Sequence, residues 1–437
     1  MASKQPPEGY LFSRGYTFYI FGLICLLMLF DFADRMIVAS LLPFLKTEWG
    51  LTDTLGGSLV SAVYWAMFIF AFPVSILVDR WSRRKVTSLM ASLWSVASAA
   101  CAFTTGFGQL LVARTAIGVG EAAYAPAGLT MISALFPAKM RAVMVGIFNA
   151  FIPIGMALGM TLGAYIAVHW GWRHAFGVVA LPGLIVAILF YFIRDYKTVA
   201  LEQTVAVPAG RPAGETQKKK MTKKEIAKDF ARKPSLIAAY ITFAAQSFQY
   251  VSIITFLPTY FIRVQGMSVQ QASGLTSSLL LPVIVGGAIG GWLTDRWMKT
   301  NIRARMFLPC IGYAASSAVT IFAFAFLPAG TMQFIAFLAG NFLLTAAGPA
   351  VMCVTQEVVH PGLRAMAYAL GITVQHMLGS APGPLITGAI SDKFGLPTAM
   401  TLASGASLIG AVAMLIGSFY YKRDLEKVEK VTLRPED

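Results

Sequence analysis

Two carboxylates and a guanidinium, Asp31, Asp34 and Arg35, lie inside a long apolar run from Tyr16 to about Leu45. A run of that length crosses a bilayer as a helix. Each of these charges would cost about 3 kcal/mol at the centre of a lipid-facing helix, so they must point elsewhere. At 100° per residue the three share one face. That face has to look into a protein interior or a watery chamber, and the rest of the chain has to supply the walls and the counter-charges.

The composition agrees. Of 437 residues, 57% are hydrophobic and 13% are charged, about half the charge of an ordinary soluble chain. The charges cluster between about twelve apolar stretches, near 16–45, 54–78, 86–104, 108–135, 141–168, 175–194, 235–263, 271–294, 305–327, 331–358, 365–391 and 398–421. Such a pattern predicts an all-α membrane protein. The short alternating segments of a β-barrel are missing. The first stretch is too long for a cleavable signal peptide and is read as a retained span. Cys25, Cys101, Cys310 and Cys353 all fall inside spans, at spacings that fit neither a metal site nor a disulfide framework. No metal, cofactor or catalytic group is therefore expected.

The net charge of +15 resides in connecting segments. Anchoring at the cytoplasmic face accounts for it better than a nucleic-acid partner. With the N-terminus inside, the inner loops collect Arg80, Arg83, Arg84 and Lys85, then Lys139 and Arg141, then Arg296, Lys299, Arg303 and Arg305, while the outer loops hold little. A multi-pass protein of the cell (inner) membrane with both termini cytoplasmic follows. The expected divisions are a six-helix bundle over 1–194, a cytoplasmic linker over 195–234, a second six-helix bundle over 235–421 and a tail over 422–437. Within the linker, Lys218 to Glu225 reads as a basic amphipathic helix on the membrane surface.

The two halves resemble each other. The segment Ser75–Trp81, with Asp79 and Arg80, ends the second span, and Gly291–Trp297, with Asp295 and Arg296, ends the eighth. Pro137 followed by Arg141 and Ala142 opens the fifth span, and Pro361 followed by Arg364 and Ala365 opens the eleventh. Two pseudo-symmetric six-helix bundles are therefore expected, with a site at their shared midplane and access alternating between the two sides.

The fourth span carries Arg114 and Glu121, two turns apart on one face, with Gly118 between them. Three carboxylates (Asp31, Asp34, Glu121) and two guanidiniums (Arg35, Arg114) sum to −1 when all are ionised. One reading gives a carboxylate of this set a proton to carry, because burial and a nearby Arg pull its affinity in opposite directions. The other is a structural ion-pair network locking the first span to the fourth. The basic loop with Asp79, Arg80 and Arg84, and its echo at Asp295 and Arg296, reads either as a gate latch or as ordinary topology anchoring.

These residues carry a resemblance. The Asp-Arg loop after span two, its echo after span eight and the six-plus-six layout resemble the major facilitator superfamily over essentially the whole chain. Ser75 and Ser82 stand where that family usually has glycines. More narrowly, Ala33-Asp34-Arg35, Arg114 with Gly118 to Tyr124, His376 to Gly379 and Ile390-Ser391-Asp392 resemble the spinster-like branch. The Asp-Arg pair and the Arg-to-Glu spacing are also similar to the organic anion:cation symporters. The resemblance implies proton coupling at Asp34 and Glu121 and anion binding at Arg35. Spinster-like proteins usually have Asn where this chain has Asp31.

Uncharged polar groups complete the expected chamber: Tyr64 in span two, Tyr124 in span four, Asn149 in span five, Gln246, Gln249 and Tyr250 on one face of span seven, Asn341 in span ten, and Gln375 and His376 in span eleven. Cations on one side with amides and phenols opposite suit an amphipathic organic anion. Each of these groups can equally be an interhelical hydrogen bond. The expected function is proton-coupled symport of a small or amphipathic organic anion by a monomer in contact with membrane lipid. Arg35 is the first anion contact and Arg114 the second. The rivals are a spinster-type exporter of lysolipids or other amphiphiles and, in another class, a membrane sensor or membrane enzyme.

Overall fold

The computed structural model describes residues 10–80, 82–122, 124–194 and 223–428, which are helical with no strand among them. Nine stretches are long and apolar enough to cross a membrane. The three remaining spans fall short for physical reasons. Span three (Arg83–Cys101) opens with three cations. Span four is split into Phe107–Glu121 and Tyr124–Leu135. Span eleven is divided into Arg364–Gln375, a π-helical turn over His376–Ser380, and Pro382–Phe394. With these the chain makes twelve spans.

The first half continues with span one (Arg14–Trp49), span two (Asp53–Arg80), span five (Ala138–Trp170) and span six (Trp172–Tyr191). In the second half span seven is Pro234–Gln265, span eight Val269–Ser278 plus Leu281–Met298, span nine Ala304–Ala325 and span ten Thr331–Glu357. Span twelve is Leu396–Ser404 plus Ala406–Glu426. Spans one and seven end alike. Gly50 (φ 62°) and Gly266 (φ 67°) each take the left-handed conformation that closes a helix before a tight reversal. The stretch Lys218–Thr222 of the expected surface helix lies outside the described residues. The helix that is described covers Lys223–Ala231 and buries Phe230 against the second half.

Packing repeats from half to half. Span two lies on span four as span eight lies on span ten. Span three meets span six as span nine meets span twelve, and span one meets span five as span seven meets the pieces of span eleven. Across the halves, span two packs on span eleven and span five on span eight, as a pseudo-twofold axis requires. Small residues set the closeness: a Cβ added to Gly159 of span five would stand 2.1 Å from the carbonyl oxygen of Ala33. Span five thus rests directly on the charged stretch of span one. Large apolar side chains such as Phe72, Phe192 and Ile409 cover the outside, as expected of a surface facing lipid tails.

Candidate functional site

Five charged side chains meet inside the first half. Asp31 (1% exposed), Asp34 (2%), Arg35 (6%), Arg114 (0%) and Glu121 (2%) are all buried. Arg35 reaches back one turn and donates from Nη2 to both oxygens of Asp31, at 3.1 and 2.8 Å. Its Nε lies 2.9 Å from Glu121 Oε2. That contact is off the line of a hydrogen bond, and neither Glu121 oxygen is hydrogen-bonded. The guanidinium also sits over the Phe32 ring, 4.5 Å from its centroid. Arg35 is thus held by a hydrogen-bonded pair with Asp31 and by a close charge contact with Glu121.

Arg114 does something else. Its Nε donates to the carbonyl of Leu59 (3.4 Å), Nη1 to that of Asp34 (3.2 Å) and Nη2 to that of Arg35 (3.4 Å). Its Nη1 is 3.6 Å from Asp34 Oδ2. A fully buried guanidinium spread over three backbone carbonyls stitches spans one, two and four together. In this conformation Arg114, expected as a second anion contact, is taken up by backbone carbonyls. Gly118 permits this approach, since a Cβ there would lie 2.3 Å from the carbonyl oxygen of Val63. Asp34 accepts a short hydrogen bond from Ser98 of span three.

The second half contributes rings and amides. His376, in the π-helical turn, stacks on Tyr64 of the first half with centroids 5.6 Å apart and planes 25° apart. A π turn inserts an extra residue and re-aims the side chains around it; here it turns span eleven toward the charged cluster. Tyr250 packs with Phe32, Met36 and Met156 at mid-depth, its hydroxyl 3.7 Å from the Met156 sulfur. Beside it lies an apolar cavity lined by Ile253, Ile254, Leu257, Phe337 and Leu344, with Asn341 at its edge.

Gln249 and Asn341 also line that cavity, with their polar groups taken up in helix packing. Gln249 is 1% exposed and its Oε1 accepts from Ser407 Oγ at 2.5 Å and from Ser317 Oγ at 3.4 Å. It joins spans seven, nine and twelve. The Asn341 amide donates to the Leu279 carbonyl. Gln246 and Gln375 are half-buried and Asn149 is exposed. The side chains of Tyr124, Asp79 and Arg80 lie outside the described residues. Arg84 donates to the Ile193 carbonyl at 2.5 Å within its own half. Asp295 is paired at 3.5 Å with Arg305, and Arg296 lies over Trp292, 5.9 Å from the ring centroid. These contacts are local, not between halves.

The clasp that does join the halves was not anticipated. At the end predicted to lie outside, Asp53 accepts from Arg263 Nη1 and Nη2, both at 2.8 Å, from Ser391 Oγ at 2.7 Å and from Lys46. Asp392 accepts from the backbone N–H groups of Asp53 (2.7 Å) and Thr54 (2.8 Å) and from Thr54 Oγ1 (2.5 Å). A carboxylate of one half thereby caps the N-terminus of span two in the other, where the helix dipole favours an anion. Beneath it a Cβ on Gly57 would stand 2.2 Å from the Pro384 carbonyl oxygen, and one on Gly388 2.3 Å from that of Asp53. Further hydrogen bonds between halves lie at mid-depth, from Tyr250 to Met156 and from Ser277 to Thr161 and Ala157. One signal was available: Asp53 and Asp392 are acidic residues flanking spans in a chain that has few.

The comparisons agree with the geometry. The chain is 27% identical over 432 residues to Protein spinster homolog 1 of Xenopus laevis, covering 92% of this chain and 80% of that protein. It is 26% identical over 396 residues to the Hexuronate transporter of Bacillus subtilis (strain 168), covering 88% and 90%. Among solved structures it matches a bacterial homologue of the human lysosomal transporter Spinster in an inward-facing, unoccupied conformation. The TM-score is 0.82 at 22% identity, over 94% of this chain and 99% of that one. It also matches a D-xylose-proton symporter with a TM-score of 0.67 at 17% identity, over 93% and 97%. The family model of the Major Facilitator Superfamily matches residues 24–384. Twelve spans in two matched bundles around a charged midplane, and a family match over most of the chain, make this protein a member of the Major Facilitator Superfamily.

Proposed function

We propose that this transporter moves a small or amphipathic organic anion together with protons, with Arg35 as the anion contact and Asp34 and Glu121 as the coupling carboxylates. One observation carries the reading: Arg35 is shared between Asp31 and Glu121 at the boundary of the halves, beside Tyr64 and His376. With all five groups ionised the cluster sums to −1 and repels an anion. One proton brings it to zero and a second to +1. Protonating Glu121 costs only the unaligned contact to Arg35, whose Nε is then released toward the solute. Anion entry and proton entry thus favour each other, which is symport.

The clasp at Asp53, Arg263 and Asp392 supports a resting form closed to the outside and open to the cytoplasm. The bundles 1–194 and 235–421 would rock about the midplane site in a cell-membrane protein with both termini inside. A second reading is a spinster-type exporter of lysolipids. The apolar lining of the small cavity beside Tyr250 favours it. Reconstituted vesicles with an imposed pH gradient test both. The first reading predicts accumulation of a hexuronate or similar organic anion when the far side is alkaline. Flux of a lysophospholipid with no flux of organic anions would replace it with the second.

A further inference from the structure

A small cavity lies behind Asp34, on the side away from Arg114, between spans one, three and six. Phe30, Asp34, Trp94, Ser95, Ser98 and Gly183 line it, and it offers about 10 Å³ to a water-sized sphere, room for about one molecule of water. Its polar lining is unspent. Ser95 Oγ and Trp94 Nε1 are buried and make no hydrogen bond within the protein. Their residues are only 3% and 5% exposed. Burying a donor without a partner is costly, so two beside a carboxylate point to water as the third party. Gly183 keeps the space open: a Cβ there would stand 3.0 Å from Ser95 Oγ and 3.8 Å from the Trp94 ring.

The cavity does not stand alone. A second one, a groove of about 240 Å³, lies between spans three and six nearer the end predicted to be cytoplasmic, lined by Lys85, Ser88, Leu89, Ser92, Tyr191 and Phe192. Residues 85, 88, 92 and 95 fall on one face of span three. From Ser88 to Ser95 the helix climbs about 10 Å. Ser88 spends its hydroxyl on the Ala187 carbonyl at 2.7 Å, so Ser92 and Ser95 are the hydroxyls that line the seam toward Asp34, and Ser98 completes the row by donating to that carboxylate.

We propose that this seam is a hydrated proton route from the cytoplasmic surface to Asp34, separate from the solute chamber. Water in the inner cavity bonds to Asp34, Ser95 and Trp94. A proton on Asp34 leaves to that water as hydronium, and the neighbouring solvent in the groove passes it on to bulk water; loading runs in reverse. The proposal rests on Asp34 as a coupling group.

Two experiments test it. In a background with Cys25, Cys101, Cys310 and Cys353 replaced by Ala, Ser92→Cys and Ser95→Cys should both react with a small charged thiol reagent added from the cytoplasmic side, since only a hydrated thiolate reacts. Failure of Ser95→Cys to react overturns the route. Gly183→Ala, which fills the cavity, should lose solute-driven proton flux into reconstituted vesicles, read with an entrapped pH dye, while solute affinity and solute–solute exchange persist. Wild-type proton flux in Gly183→Ala overturns the route and leaves the coupling role of Asp34 standing, provided Asp34→Asn has lost that flux. An Asp34→Asn protein that still couples removes Asp34 as the carrier, and the route with it.

Discussion

Span one and span seven occupy equivalent places in the two halves and end on the same left-handed glycine, yet they are provisioned differently. Span one carries Asp31, Asp34 and Arg35 on its inner face. Span seven carries Ser247, Gln249 and Tyr250. The charges of span one are compensated across spans by Arg114 and Glu121. The polar groups of span seven are bound up in neutral hydrogen bonds, Gln249 with Ser407 and Ser247 with Ser380. One scaffold thus holds an ionic half, whose contacts change with a proton, and a neutral half, whose contacts do not. On the proposed function, coupling belongs to the first and shape recognition to the second.

The comparison is broken most severely at Arg35. Arg35→Ala should abolish uptake and lower stability by about 3–5 kcal/mol, because Asp31 and Glu121 stay buried without a cation. Vesicle flux and thermal unfolding read the two effects, and a folded variant that still transports would end the assignment. Next comes Arg114→Lys, which loses the spread over three carbonyls; a fall in melting temperature equivalent to about 2–3 kcal/mol is expected. Melting unchanged from the parent would show that the stitch is idle. Glu121→Gln should keep solute counterflow and lose uphill uptake with little change in stability, since its oxygens accept no hydrogen bond. Uphill accumulation in that variant would move coupling elsewhere. In the clasp, Asp392→Asn should shift the resting population toward the outward-open form by about 1–2 kcal/mol, the worth of a charge at a helix N-terminus. Spin-label distances across the outer ends would lengthen if so. The smallest effect is expected at Gln249→Leu, about 1 kcal/mol from lost neutral hydrogen bonds, with proton coupling intact.

Much of the architecture was legible because lipid leaves a helix few options. Apolar length predicts spans, the distribution of Lys and Arg predicts sidedness, and five ionisable residues inside spans one and four had to find one another. Which pairs they form was not legible. Arg35 and Arg114 look interchangeable in sequence, and only the packing of spans two and four shows that one serves carbonyls and the other carboxylates. Gln249 looked like a chamber group because a helical face says which way a side chain points, not what already waits there. The clasp was hidden for a related reason. Asp53 and Asp392 read as loop charges, and their meeting depends on the angle between the halves, a long-range property with no local pattern. The break in span eleven also lacks a local cause in residues 376–380, since an extra residue per turn is a bargain struck with neighbouring helices.

The tight seating of Gly57 on Pro384 and of Gly388 on Asp53 has a practical corollary. Neither contact leaves room for a single added carbon. Alanine at either place acts as a doorstop, holding the external doorway ajar without touching the five charged groups of the midplane. Such variants would offer the opposite face of the transport cycle to antibodies, inhibitors and structure determination, with the ionic machinery left as nature built it.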